Sequence, residues 1–164
     1  MPQTVLMMGS DSDWPTLEPV VTTLKELGLD CAVRVLSAHR TPEQAREFVQ
    51  ESEKTGTKVF LCAAGVAAHL AGAVAAHTSR PVIGIPIASG PLNGLDALLS
   101  TVQMPPGVPV ATVAIGGAVN AAVLAAQIIG TGDAAVAKRV ADWRKAQTAK
   151  VLEKDRKLQE KLKG

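Results

Sequence analysis

Residues 4–28 read TVLMMGSDSDWPTLEPVVTTLKELG, and this stretch predicts the repeating unit of the fold. Residues 4–8 are apolar apart from Thr4 and are followed by a glycine, which is typical of a short strand buried on both faces. Residues 15–28 carry Leu and Val at helical spacing, start with a proline suited to the first helical turn and stop at a glycine. We therefore expect a strand and a helix joined by a polar loop.

The same alternation of strand and helix continues along the chain. Further strands are predicted at 31–36, 58–63, 81–85 and 109–115, and further helices at 41–55, 66–77, 94–102, 118–129 and 133–162. Thr41 and Gln44 have the spacing of a capping box at the start of the second helix. Short apolar strands separated by helices predict an α/β fold: a three-layer, flavodoxin-like parallel sheet with strand order 2-1-3-4-5 and a long C-terminal helix.

The segment Gly130-Thr131-Gly132 divides the chain into two predicted units. Residues 1–132 form the flavodoxin-like catalytic domain, and 133–164 form a helical extension of about 45 Å that we expect to pack on neighbouring subunits. Composition agrees with this expectation, because 47% of the residues are hydrophobic but only 2% are aromatic. A core built from Ala, Val, Leu and Ile buries little area per side chain, so a partner subunit would add to it.

Composition and charge exclude several classes of protein. The apolar content is too high for a disordered chain, and the sequence holds neither an 18-residue apolar run nor a basic leader. Cys31 and Cys62 lie in apolar runs and are predicted to be buried thiols of a cytoplasmic protein. Residues 133–164 carry ten Lys and Arg against five Asp and Glu, but few aromatics, so we expect neither nucleic-acid nor membrane partners.

Polar side chains follow the first strand at the point where ligands bind in open parallel sheets. These side chains are Ser10, Asp11, Ser12 and Asp13. One of them would suffice to cap the following helix, and capping is the alternative interpretation. Four in succession favour a ligand loop, with hydroxyl and N–H groups for an anion and a carboxylate for sugar hydroxyls.

A second polar cluster follows the second strand and contains Ser37, Ala38, His39 and Arg40. A histidine can transfer protons near neutral pH, and an arginine can grip a phosphate through two N–H groups. Taken alone, the two could simply be exposed loop residues. Because strands one and two should be adjacent, both loops are expected to face one cavity.

Small residues follow the third strand and let a ligand approach the backbone at a helix start. We single out Gly65, Ala67, His69 and Leu70, and expect the loop at 88–94 to be able to cover the site. No metal-binding, dinucleotide-binding or Walker motif occurs in the sequence, so neither a cofactor nor a metal is predicted. The residues therefore predict a site for a small phosphorylated ligand with a proton-transferring histidine.

At these residues the sequence resembles the N5-carboxyaminoimidazole ribonucleotide mutase family of purine biosynthesis. The match runs in order from about residue 5 to 150. It is carried by GSDSDW at 9–14, SAHRTP at 37–42, AAHL at 67–70, VQMP at 102–105, NAAVLAAQI at 120–128 and DWRKAQ at 142–147. This resemblance implies a cytoplasmic homo-octamer that uses no cofactor and converts N5-carboxyaminoimidazole ribonucleotide into 4-carboxy-5-aminoimidazole ribonucleotide.

The resemblance also implies roles for the loop residues. Ser10, Ser12 and Arg40 would hold the phosphate, Asp13 the ribose, and His39 would move protons during decarboxylation and recarboxylation. Arg40 and the AAHL stretch are similar to the mutases rather than to the animal-type carboxylases, which carry His-Lys. The stretch AAGVAAHLAG at 63–72 differs from the GAGGAAHLPG of many relatives. The turn at 115–119 is shorter than the lysine-containing turn that is common in the family.

Two other functions remain open from the residues alone. One is direct carboxylation of aminoimidazole ribonucleotide by CO2. The other is a nucleotide-binding regulatory module without catalysis.

Overall fold

The computed structural model describes residues 2–163, which form a five-stranded parallel sheet covered by helices. The strands are β1 (Thr4–Met8), β2 (Cys31–Val35), β3 (Val59–Gly65), β4 (Val82–Ile87) and β5 (Ala111–Thr112). The helices are α1 (Trp14–Glu26), α2 (Pro42–Lys54), α3 (Leu70–Ala75), α4 (Leu95–Val102), α5 (Ala118–Gly130) and α6 (Ala134–Lys163). The strand order is β2-β1-β3-β4-β5, which confirms the predicted α/β topology.

Alternate residues of the central strands supply two hydrophobic clusters, one on each face of the sheet. Leu6 and Met8 of β1 pack in the cluster formed with α1, α5 and the first turns of α6. Val5 and Met7 point the other way, into the cluster formed with α2 and α3. This second cluster contains Phe60, which is wholly buried. Both faces of β1 are therefore covered, as its continuous apolar sequence predicted.

Two elements, β5 and α3, are much shorter than predicted. The strand expected at 109–115 pairs with β4 only at Ala111 and Thr112, since β5 is an edge strand and Pro109 has no N–H to offer the ladder. The helix expected at 66–77 is limited to α3; its expected first residue, Val66, has a φ of +55°, outside the right-handed helical range. Residues 64 and 65 extend β3 beyond its predicted end at residue 63.

The predicted capping box at the start of α2 is wrong. Thr41 makes no side-chain bond to the helix; its Oγ1 accepts a hydrogen bond from the N–H of Ser37 at 2.8 Å and donates to the Ser37 carbonyl at 3.1 Å. The hydroxyl thus closes the loop before α2 rather than capping the helix. This loop carries His39 and Arg40.

The long helix α6 is attached to the body by its first half. Val136 and Val140 are buried in the cluster with α1 and α5, and Trp143 Nε1 donates to the Glu26 carboxylate at 3.2 Å. Every residue from 148 to 163 is exposed. Residue 1, where the first predicted unit begins, and residue 164, where the second ends, lie outside the described residues.

The two cysteines are free thiols. Cys62 is buried in β3 and Cys31 is partly buried in β2; burial raises the pKa of both thiols above the ordinary value. Within residues 2–163, none of the helices combines the length and the apolar character that crossing a bilayer requires.

Candidate functional site

A cavity of about 270 Å³ opens at the carboxyl ends of β1, β2 and β3. The chain leaves β1 towards β2 on one side and returns to β3 on the other, so the edge beside β1 is the switch point where ligands bind in open α/β sheets. The cavity is lined by Gly9, Ser10, Ser12, Asp13, Ser37, Ala38, His39, Arg40, Ala64, Gly65, Val66, Ala67, His69, Leu70 and Ser89.

The cavity brings together every predicted site residue except Asp11. Asp11 lies in an adjoining shallow groove, which it shares with Ser10 and Arg40. The sequence reasoning did not single out four of the lining residues, namely Gly9, Ala64, Val66 and Ser89. Gly9 and Ala64 could have been found from their places at strand ends, and Ser89 lies in the loop expected only as a cover. Val66 directly follows Gly65, so its place at the end of β3 could have indicated it as well.

The loop after β1 forms a single 3-10 turn at Asp11–Asp13. Ser10 Oγ lies 2.8 Å from Ser12 Oγ and accepts a bond from the Ser12 N–H at 3.3 Å, so Ser10 both caps the turn and faces the cavity. Asp13 precedes α1 without making a side-chain cap bond. Loss of hydration raises the pKa of the Asp13 carboxyl, while a hydrogen bond from Ser12 opposes this shift.

The loop after β2 is held by its own side chains. Ser37 Oγ accepts hydrogen bonds from the N–H groups of His39 at 3.3 Å and Arg40 at 3.2 Å. Arg40 Nη2 donates to the Gly9 carbonyl at 2.9 Å, which ties this loop to the end of β1. The guanidinium has five N–H donors, so others stay free for an anion.

The imidazoles of His39 and His69 form a hydrogen-bonded pair. His39 Nε2 lies 2.8 Å from His69 Nδ1, and the rings meet edge to face at an interplanar angle of 81°. Such a bond needs one nitrogen that carries a proton and one that does not. The pair can therefore store a proton and pass it between its members.

The wall formed by the end of β3 is close to the loop after β4. A Cβ added to Gly65 would lie 2.0 Å from Ser89 Oγ, so only glycine fits at this position without displacing Ser89. The side chains at 64, 65 and 67 are a methyl, a hydrogen and a methyl, which leaves room for a ligand against the backbone.

The cavity thus combines hydroxyl and N–H donors, a hydrogen-bonded pair of imidazoles and a wall of small residues. It can bind a phosphorylated molecule and move protons to and from it. In the part of the chain that the structure describes, no cluster of three or more His, Cys, Asp or Glu side chains could hold a metal ion.

Comparison with known proteins identifies the family. The family model described as AIR carboxylase matches residues 3–150. An N5-carboxyaminoimidazole ribonucleotide mutase from Thermotoga maritima is 46% identical and covers 98% of this chain and 94% of its own length. The enzyme of the same name from Escherichia coli K12 is 49% identical, over 90% of this chain and 89% of its own. The one from Saccharolobus solfataricus reaches 58% over 79% of this chain and 82% of its own.

A solved structure agrees with these sequence matches. The crystal structure of Treponema denticola PurE aligns with a TM-score of 0.87 at 32% identity, covering 96% of this chain and 99% of that one. The family model spans all the strands and the whole cavity. This chain therefore belongs to the AIR carboxylase family.

Proposed function

We propose that this protein is an N5-carboxyaminoimidazole ribonucleotide mutase, which acts in purine biosynthesis and forms 4-carboxy-5-aminoimidazole ribonucleotide. The observation that carries the proposal is that relatives bearing this name align at 46–58% identity over most of the chain. The cavity contains groups that suit such a reaction: hydrogen-bond donors for a phosphate, the imidazole pair of His39 and His69, and space beside the backbone.

Substrate binding is assigned to the loops after β1 and β2. Ser10, Ser12 and the free N–H groups of Arg40 hold the phosphate, because charge-assisted bonds from a guanidinium suit a phosphate dianion. Asp13 accepts bonds from the ribose hydroxyls. Asp11, which lies in the adjoining groove, adds negative charge behind this loop. Ser37 and Ala38 shape the backbone that presents His39.

Chemistry is assigned to the histidine pair and the small-residue wall. The N–CO2 bond breaks, its electron pair stays on nitrogen, and nitrogen takes a proton from His39. The C4 carbon then attacks the released CO2 and gives up its proton to His39 as aromaticity returns. His69 holds the second proton site, while Gly65, Ala67 and Leu70 border the space in which CO2 stays near C4. Confinement keeps the effective concentration of CO2 high.

The decisive assay supplies N5-carboxyaminoimidazole ribonucleotide in buffer stripped of CO2 and bicarbonate. A mutase forms the 4-carboxy product at its full initial rate. A direct carboxylase forms product only from aminoimidazole ribonucleotide with CO2 added, and a regulatory module binds without turnover. Product formation that requires added CO2 would overturn the proposal.

The same proposal includes assembly as a cytoplasmic homo-octamer whose α6 helices pack on neighbouring subunits. Free thiols are typical of a reducing compartment. Exposed apolar side chains of α4, of the first turn of α5 and of the nearby loops offer area for subunit contacts; they are Leu92, Leu95, Leu99, Val102, Ile115 and Val119. Sedimentation equilibrium tests the assembly, with eight chain masses expected and a monomer or dimer contradicting it.

A further inference from the structure

Ser100, in the second half of α4, connects this helix to the loop after β3, residues 66–69. Its Oγ accepts a hydrogen bond from the N–H of Ala68 at 3.0 Å and donates to the carbonyl of Asp96 at 2.8 Å. Within residues 2–163, the hydrogen bonds between α4 and this loop all involve the Ser100 hydroxyl. Because Ser100 does not line the cavity, it can influence a reaction there only through the loop.

The bond to the Asp96 carbonyl fixes the direction of the Ser100 oxygen. A helical serine that donates to the carbonyl four residues earlier uses its proton within its own helix. The lone pairs of the oxygen remain available, and one of them accepts the bond from the Ala68 N–H. Ala68 is only 1% exposed, so water cannot readily replace this acceptor. Removing the oxygen would leave a buried N–H without a partner, which is unfavourable, and the loop would shift.

The residue after Ala68 is His69, whose imidazole forms the pair with His39. Both histidines are exposed, so their contact depends on the backbone that carries each of them. The loop of His39 is held from within by Ser37, whereas the loop of His69 bonds to Ser100 of α4. His39 Nε2 lies 2.8 Å from His69 Nδ1. A shift of about 1 Å in the loop would take this separation beyond the range of a hydrogen bond.

We infer that Ser100 is a positioning residue for the mutase reaction; this inference rests on the proposed function. By holding Ala68, Ser100 keeps His69 within bonding distance of His39 during the proton transfers assigned to that pair. Ser100 touches neither the substrate nor the reacting atoms. Its loss should therefore lower kcat, while binding, which is assigned to the loops after β1 and β2, should change little.

The first test removes and then restores the acceptor oxygen. We expect kcat of the S100A variant to fall about three- to tenfold, the range that the loss of one hydrogen bond produces. KM should stay close to the wild-type value, and the pH profile of kcat should move towards that of the H69L variant. The S100T variant keeps an oxygen at this place and should recover most of kcat. If S100A does not fold, S100C, whose sulfur is a weak acceptor, replaces it in every comparison.

The second test repeats the change without His69, using single-turnover rates so that slow variants stay measurable. If Ser100 acts through His69, adding S100A to H69L should leave the rate unchanged, since the two changes remove the same interaction. An equal fold-loss in both backgrounds would show a general structural role and overturn the inference. A wild-type kcat in folded S100A would also overturn it.

The T22A variant is a matched control. Thr22 of α1 makes the same kind of bond, since its hydroxyl donates to the Glu18 carbonyl at 3.3 Å, and it does not line the cavity. T22A should keep the wild-type kcat and pH profile. Additive losses in an active mutase overturn the role of Ser100 alone. If the wild type forms no product without added CO2, the proposed function itself fails.

Discussion

His39 Nε2 lies 2.8 Å from His69 Nδ1, although 30 residues separate the two in the chain. The strand order explains this contact. β2 and β3 flank β1, so the loops that follow them reach across its carboxyl end from opposite sides. The two strands are about 10 Å apart at the usual spacing of about 4.8 Å per strand, which two imidazole side chains can bridge.

Replacing His39 by Asn should abolish turnover while preserving ligand binding. The amide keeps a similar volume but cannot exchange a proton near neutral pH, so kcat should fall by about 10²- to 10⁴-fold. Calorimetric binding of the 4-carboxy product should remain within a few-fold of wild type. The H77N variant changes the remaining histidine, which does not line this cavity, and should leave both quantities unchanged. A near-normal kcat in H39N would remove His39 from the mechanism.

Replacing His69 should impair proton transfer more than binding. The H69L variant removes the hydrogen-bond partner of His39 and should lower kcat by about tenfold or more, with a smaller change in KM. The pH profile of kcat should also change, because one member of the proton-holding pair is lost. The H69Q variant, which keeps a polar group near His39, should recover part of the activity. An unchanged profile in H69L would show that the pair has no part in the reaction.

Replacing Gly65 by Ala should displace the loop after β4. The new Cβ would lie 2.0 Å from Ser89 Oγ, which must rotate away, and 3.1 Å from Ser89 Cβ, which must shift slightly, so we expect a loss of about 1 kcal/mol. Urea unfolding should show this loss, and KM should rise because both residues line the cavity. The S89G change removes the clashing hydroxymethyl group, so the double variant should recover stability. Additive losses from the two changes would contradict the direct contact.

Replacing Asp13 by Asn should stabilise the protein at neutral pH while weakening substrate binding. Burial raises the pKa of Asp13 in the folded state, so ionisation there is less favourable than in the unfolded chain. The penalty is full above the folded pKa, shrinks as the pH falls and vanishes below the unfolded value. The Tm of D13N should therefore exceed the wild-type Tm at pH 7, and the two should converge at acidic pH. A constant difference across this range would contradict this explanation.

The sequence predicted most of the sheet and the loops that carry the site. Residues 5–8 and 59–63 are continuously apolar, so they would be buried on both faces of a sheet whichever elements cover it. The predicted ends of β5 and of the third helix differ most from the structure. β5 pairs with β4 alone, and Val66, at the start of the expected third helix, has a φ of +55° that lies outside the right-handed helical range.

The contacts between particular side chains inside the cavity could not be predicted from the sequence. The sequence placed His39 and His69 in loops at the same edge, but their contact depends on loop lengths and on the direction of each side chain. The bond from Arg40 to the Gly9 carbonyl depends on the same details. The Thr41 hydroxyl could bond either to the first turn of α2 or to the preceding loop, and it bonds to the backbone of Ser37 in that loop.

In the single chain, the second half of α6, residues 148–163, packs against no other element, so its helical order should depend on contacts with other subunits. From residue 148 onwards, its support within the chain consists of pairs along the helix, such as Arg156 with Glu153, each contributing a few tenths of a kcal/mol. A segment of this length is only marginally helical by itself in water. If the proposed octamer forms, its dissociation on dilution should fray this segment and open it to proteases that cut after basic residues. The rate of cleavage after residue 148 would then report the oligomeric state of the protein.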